Sequence, residues 1–136
     1  MPFPYSRLLH GQHILVAEDS YLVAQELTEA LEREGADVVG PVATLDDARR
    51  LAVETLRLDA AVLDVNLGGE MIWPVADILF NRHVRLVFAT GYAAGPIKKF
   101  YDRCEVAEKP TPAHAVVRLL STEPPAAPPG SPNAAR

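Results

Sequence analysis

Three acidic residues stand where short apolar runs stop. Glu18 and Asp19 follow His13-Ile14-Leu15-Val16-Ala17, and Asp64 follows Ala60-Ala61-Val62-Leu63. Two further reactive side chains end similar runs: Thr90 closes Val84-Arg85-Leu86-Val87-Phe88-Ala89, and Lys109 follows Glu105-Val106-Ala107-Glu108. If Glu18, Asp19 and Asp64 lie within ~5 Å of one another, each ionised pair repels by roughly 3 kcal/mol at an effective dielectric near 20. Three such pairs are a large share of a small domain's stability. The cluster must therefore hold a proton, recruit a basic side chain or bind a cation, and Lys109 is the basic side chain at hand. Hard oxygen ligands with room for water suit Mg2+, which takes one or two carboxylates beside phosphate oxygens. A Mg2+ ion next to a free carboxylate, a lysine and a hydroxyl meets the needs of phosphoryl transfer. Cationic groups neutralise the equatorial oxygens while the carboxylate attacks in line. Thr90 and the backbone amides of residues 65–67 are donors for phosphoryl oxygens. An isolated aspartate such as Asp64 also reads as a loop cap; the other strand ends argue for more.

What must position these groups is an alternation of strands and helices. Brief continuous apolar runs bounded by turn residues suit strands buried on both faces of a parallel sheet. They fall at 13–17, 36–40, 59–64, 84–89 and 105–108. Ser20 caps a first helix whose buried stripe is Val23, Leu27, Ala30 and Leu31, stopped at Gly35. Pro41 helps to end the second strand. Thr44-Leu45-Asp46-Asp47 resembles a capping box and opens a helix buried through Ala48, Leu51, Ala52 and Leu56. A Gly68-Gly69 loop precedes a helix from Met71 to Asn81, with Pro74 in its first turn. A weak helix over Gly95–Arg103 has Ile97 and Phe100 as anchors. Thr111 caps the last helix, with Pro112 at its first position and Val116, Leu119 and Leu120 inward. Strand then helix, five times over, predicts an α/β fold with a five-stranded parallel sheet, doubly wound, in a single domain. Right-handed crossovers bring every strand's carboxyl end to one edge, where open α/β sheets hold ligands. Glu18, Asp19, Asp64, Thr90 and Lys109 all belong to that edge.

Composition narrows the function classes. The chain's 136 residues, 49% hydrophobic and 23% charged, suit one domain with a single core. A net charge of −5 weighs against nucleic-acid or anionic-membrane partners. No apolar run is long enough for a membrane span. Met1-Pro2-Phe3-Pro4-Tyr5 lacks the features of a signal peptide, so cytoplasmic residence is expected. The lone Cys104 leaves no intramolecular disulfide or zinc cluster and reads as a small buried hydrophobe. His10, His13, His83 and His114 lack metal-ligand spacing. Lys98-Lys99 read as a solvated pair and Trp73 as a packing or interface anchor. No glycine pattern matches a P-loop or dinucleotide fingerprint. The expected plan is an N-terminal extension over 1–11, the folded domain over 12–121, and a disordered, Pro-rich tail over 122–136.

Ile14-Leu15-Val16-Ala17-Glu18-Asp19, Val62-Leu63-Asp64, Phe88-Ala89-Thr90-Gly91 and Glu108-Lys109-Pro110 occur in that order. Together they resemble the receiver domain of two-component response regulators, over residues 11–121. The resemblance implies a flavodoxin-like, receiver-type sheet with Asp64 as the phosphoacceptor. It implies a metal site of Glu18, Asp19, Asp64 and the backbone carbonyl of Asn66. Asp19 is then a direct Mg2+ ligand, and Glu18 acts mainly through a coordinated water. Thr90 becomes the hydroxyl that meets the phosphoryl group, Lys109 its counter-charge, and the Lys109–Pro110 bond is expected to be cis. Phe88-Ala89-Thr90-Gly91-Tyr92 is similar to the "FAT GUY" group of stand-alone receivers, often associated with histidine kinases of the HWE class. That likeness implies a phosphate-carrying or sequestering partner without a DNA-binding half, regulatory rather than an enzyme. The implied partners are a histidine kinase or phosphotransfer protein and a downstream protein, and the implied state is a monomer or weak homodimer.

The chain also departs from the family pattern. Val106 stands where the family's switch aromatic usually lies, three residues before the lysine. Tyr92 is the candidate substitute, and reads equally well as an ordinary half-buried tyrosine. Gly68-Gly69 follows Asp64 in place of the usual proline. The weak fourth helix makes 91–104 a candidate mobile segment through which phosphorylation switches the 88–104 face. Two competing readings are a phosphorylation-independent interaction module with a receiver fold and a Mg2+-dependent phosphatase. The phosphatase normally wants a second acid two residues after its nucleophile, where this chain has Asn66.

Overall fold

A computed structural model describes residues 8–124. The expected N-terminal extension and Pro-rich tail lie outside the described residues, apart from 8–11 and 122–124.

Five strands run parallel in the order β2-β1-β3-β6-β7: β1 (His13–Ala17), β2 (Asp37–Val42), β3 (Ala60–Leu63), β6 (Arg85–Thr90) and β7 (Glu105–Glu108). Two short strands, β4 (Asn66–Leu67) and β5 (Glu70–Met71), form a separate antiparallel hairpin. The helices are α1 (Tyr21–Arg33), α2 (Leu45–Glu54), α3 (Trp73–Asn81), α4 (Ala94–Phe100) and α5 (Ala113–Leu120). Alternate strand residues point to opposite faces, and this splits the core in two. Ile14, Val16, Val62 and Val87 pack with Leu27 and Leu31 of α1 and Val116 of α5. Leu15, Leu63 and Phe88 face Ala48 of α2, Val75 and Leu79 of α3 and Ile97 of α4. Each of the Val, Leu, Ile and Phe side chains among these contributes ~1.5–3 kcal/mol of transfer free energy when fully buried. The doubly wound sheet predicted from the strand–helix alternation is the fold observed.

Several local expectations are corrected. Pro41 does not end the second strand, which runs on to Val42; β2 is an edge strand, where a missing N–H is tolerated. Leu56 is 96% exposed rather than buried. α2 stops at Glu54 because Arg82 donates to the carbonyls of Ala52, Thr55 and Leu56 and closes the helix end. In α1, Ala24 takes the inward position and Val23 is partly exposed. The Gly68-Gly69 loop is the tight turn of the β4–β5 hairpin, with φ of 59° and 98°, the signs that a type I′ turn requires and glycine accepts. α3 begins at Trp73, not Met71. Phe100 does not anchor α4: it is 78% exposed, and the next residue, Tyr101, is buried in its place. Thr111 does not cap α5; its hydroxyl donates to the Glu108 carbonyl, and Pro112 holds the cap position.

Candidate functional site

The sheet's hydrogen-bond ladder continues through the residues that matter. Glu18 N donates to Val42 O at 2.9 Å, Asp64 N to Ala17 O at 2.9 Å, and Lys109 N to Thr90 O at 2.7 Å. Backbone pairing thus fixes where Glu18, Asp64, Thr90 and Lys109 leave the sheet, on rigid elements rather than on a loose loop. All emerge at the carboxyl edge, and oxygens of Glu18, Asp19 and Asp64 lie within 4.8 Å of one another.

Lys109 binds this cluster together. Its Nζ donates to Glu18 Oε1 at 2.7 Å and to Asp64 Oδ2 at 2.9 Å. Glu18 is buried, and its other oxygen accepts from Ser20 N at 3.0 Å. Burial outweighs these contacts and holds the Glu18 carboxyl above its ordinary pKa, with the Asp64 charge adding to the rise. Burial by itself would lower the Lys109 pKa, but hydrogen bonds to Glu18 and Asp64 together leave it raised. Lys109 is therefore a fixed cation at neutral pH. The Lys109–Pro110 peptide bond is cis.

Asp19 is exposed, and its Oδ2 accepts from Gly68 N at 2.8 Å. Asn66 N donates to Asp64 Oδ1 at 3.3 Å, while the Asn66 side chain accepts from Gly69 N at 2.7 Å. The glycine turn therefore serves the acidic site twice, by holding Asp19 and by fixing Asn66. Thr90 is fully buried, and its hydroxyl accepts from Tyr92 N at 3.2 Å. A hydroxyl that accepts still keeps its own proton to donate. Tyr92 is half-exposed.

The sequence reading missed an aromatic cluster beside the site. Tyr101 stacks on Trp73 with centroids 6.1 Å apart and contacts Phe88 at 5.5 Å and Phe80 at 5.6 Å. Its hydroxyl donates to Asp77 Oδ1 at 2.7 Å. Burial, then that bond, keeps the phenol far above its usual pKa, so it stays protonated. Phe88 lies two residues before Thr90 on β6, which connects the cluster to the acidic edge. The only local signal was that Trp73, Phe80 and Tyr101 are large aromatics near the ends of helices.

Chemically, three hard carboxylates stand against one ammonium, so an ionised pocket carries −3 + 1 = −2. That donor set suits a small divalent cation such as Mg2+. No acid stands two residues after Asp64, where a phosphatase of the competing kind would need one.

No protein-family profile matches the chain. Among proteins of known role, it is 29% identical over 107 residues to the phyllosphere-induced regulator PhyR of Methylorubrum extorquens, covering 77% of this chain. The chain spans 37% of the length of that curated relative. Among solved structures, SdrG from Sphingomonas melonis Fr1 is 39% identical with a TM-score of 0.66, over 81% of this chain and 93% of that one. A response regulator receiver protein from Sinorhizobium medicae aligns with a TM-score of 0.71 at 19% identity, over 83% of this chain and 94% of that one, and shares the fold. No helix among the described residues is long and apolar enough to cross a membrane.

Proposed function

The chain belongs to the receiver-domain family of response regulators, and from that premise we propose that it accepts a phosphoryl group from a phosphohistidine donor onto Asp64. The observation that supports this most is the Lys109 ammonium, held between Asp64 and the buried Glu18 with Asp19 alongside. A carboxylate oxygen of Asp64 forms the new O–P bond as the P–N bond to the donor imidazole breaks. The bonding pair leaves with the nitrogen, which takes a proton from solvent. Mg2+, when held by Glu18, Asp19, Asp64 and the backbone carbonyl of Asn66, would supply charge neutralisation for the transferred oxygens. Lys109, already 2.9 Å from Asp64 Oδ2, is placed to bond a phosphoryl oxygen carried there. Thr90 has a hydroxyl proton for a second.

In this reading the chain is a regulatory phosphoacceptor of the FAT GUY group, working in the cytoplasm through its folded unit at 12–121. Its donor is a histidine kinase, of the HWE class or another, or a phosphotransfer protein. The charge gained at Asp64, met by the Thr90 hydroxyl, reaches the 88–104 face through Phe88 and Tyr101, for partner binding or phosphate sequestration. The experiment is intact-mass measurement after exposure to a small phosphodonor with Mg2+. The wild type should gain one phosphoryl group and Asp64→Asn none. An equal gain by Asp64→Asn refutes the acceptor, and no gain by the wild type returns the chain to the phosphorylation-independent interaction module.

A further inference from the structure

Phe100 and Tyr101 are neighbours at the end of α4, where successive side chains point in different directions. Tyr101 turns inward and leaves Phe100 78% exposed. Between α3 and α4 runs a groove of about 380 Å³, walled by Trp73, Pro96, Ile97, Phe100 and Tyr101, with Asp77 as its one acid. The floor of this groove is fixed by contacts within the chain. Tyr101 stacks on Trp73 with 22° between the ring planes, and its hydroxyl bond to Asp77 ties the end of α4 to α3. A preorganised apolar surface loses little ordering entropy on association.

The α4 side of the groove is basic. Lys98 and Lys99 precede Phe100 on the helix, both are exposed, and neither forms an ion pair among the described residues. They stand in a chain whose net charge is −5, so the local sign opposes the global one. Cations in a last turn offset the helix dipole, but that explains neither the exposed ring nor the groove beside it. Apolar walls with charges at the rim suit helix-in-groove recognition, where anchors one turn apart enter the groove and rim charges select the partner's sign. At ~1.5 Å per residue, the seven residues of α4 and nine of α3 make walls roughly 10 Å and 14 Å long. That is room for two such anchors. A second copy presenting the same face would set Lys98 and Lys99 against their own counterparts, and like charges across an interface oppose association. The complementary partner is acidic.

We propose that the α3–α4 groove docks an acidic amphipathic helix of a partner protein. Its leucine or aromatic anchors lie against Trp73, Pro96 and Phe100, and its carboxylates face Lys98 and Lys99. This gives the downstream partner of the 88–104 face a chemistry and rests on that reading for its place in signalling. The docking itself needs no phosphoryl group on Asp64.

Trp73 is the chain's single tryptophan and lines the groove, so its fluorescence reports occupancy. The full chain, with no phosphodonor or Mg2+, is titrated with three tryptophan-free synthetic peptides. One is an amphipathic helix of Glu, Leu and a single Phe. Another is the same helix with Lys for every Glu, and the last has the first peptide's residues in an order that breaks the apolar stripe. The acidic helix should shift Trp73 emission to the blue and shield it from acrylamide. The basic helix should bind about tenfold more weakly, and the reordered peptide should leave the emission unchanged. Lys98→Glu combined with Lys99→Glu should reverse the preference between the two helices. In the wild type that preference should fade in ~1 M salt, where the screening length is ~3 Å. Phe100→Ser, at an exposed position, should weaken the acidic helix about tenfold. No shielding by the acidic helix, equal affinity for the acidic and basic helices, or indifference to Phe100→Ser or to the lysine reversal each overturns the proposal. Shielding that grows with protein concentration before any peptide is added also overturns it, because a second copy would then be the occupant. Asp64 stays unmodified throughout, so the phosphoacceptor is decided separately by the intact-mass measurement.

Discussion

Replacing Lys109 with Met keeps the straight side-chain stem and removes the ammonium. Lys109 Nζ lies 2.7 Å from Glu18 Oε1 and 2.9 Å from Asp64 Oδ2. At an effective dielectric of about 20, each contact is a gross attraction of roughly 6 kcal/mol before any desolvation is counted. The lysine's own burial opposes that gain, and its side chain is 28% exposed. The net loss therefore belongs at the lower end of the ~3–5 kcal/mol seen when one partner of a buried pair is deleted. Equilibrium urea unfolding at pH 7 should show a loss of about 3 kcal/mol with an unchanged m-value. The loss should also depend on pH with a definite sign. Burial already raises the Glu18 carboxyl above its ordinary 4.5, and without the ammonium it rises further. A carboxyl whose pKa is higher folded than unfolded favours folding at low pH, and that advantage disappears as pH climbs through the folded value. Lys109→Met should therefore recover stability relative to the wild type as pH falls from 7 towards 4.5. A variant within about 1 kcal/mol of the wild type at pH 7, or one that weakens further on acidification, would refute the claim that Lys109 neutralises the buried acids.

Gly69→Ala places a Cβ at φ 98° in the β4–β5 turn and should cost ~1–2 kcal/mol in unfolding experiments. Because that turn presents the Gly68 amide to Asp19, a Mg2+ titration of the variant should show weaker binding. Tyr101→Phe removes the hydrogen bond to Asp77; since Asp77 is exposed and can be rehydrated, the expected loss is ~1–1.5 kcal/mol, measured by the same urea method.

The carboxyl edge was legible because a buried parallel strand needs an unbroken apolar run, and a charged residue ends such a run abruptly. Leu63 to Asp64 and Ala17 to Glu18 are breaks of that kind, and the ladder continues through both acids. What stayed hidden was set by distant partners. Helical periodicity carries on from Ala52 to Leu56, but Arg82 closes the helix before Leu56 can turn inward. Phe100 and Tyr101 are adjacent aromatics at the end of a short helix; Tyr101 goes inside, where it has three aromatic neighbours and Asp77 for its hydroxyl. Thr111 has a cap-forming side chain, yet the Glu108 carbonyl takes its proton. Gly68-Gly69 is a strong type I′ signal, but two-residue flanks are too short to show strand alternation. The type of each site residue could be read locally. Lys109 as the basic partner of the acids was legible too; that its ammonium bonds Glu18 and Asp64 in particular was not.

The most direct test of the central claim is chemical identification of the modified residue. Borohydride reduces an aspartyl phosphate to homoserine, which peptide mass spectrometry places in the chain. After treatment with a small phosphodonor, homoserine should appear at position 64 alone, and only with Mg2+ present. Homoserine at another acid, or an equal yield at 64 without Mg2+, would contradict the account.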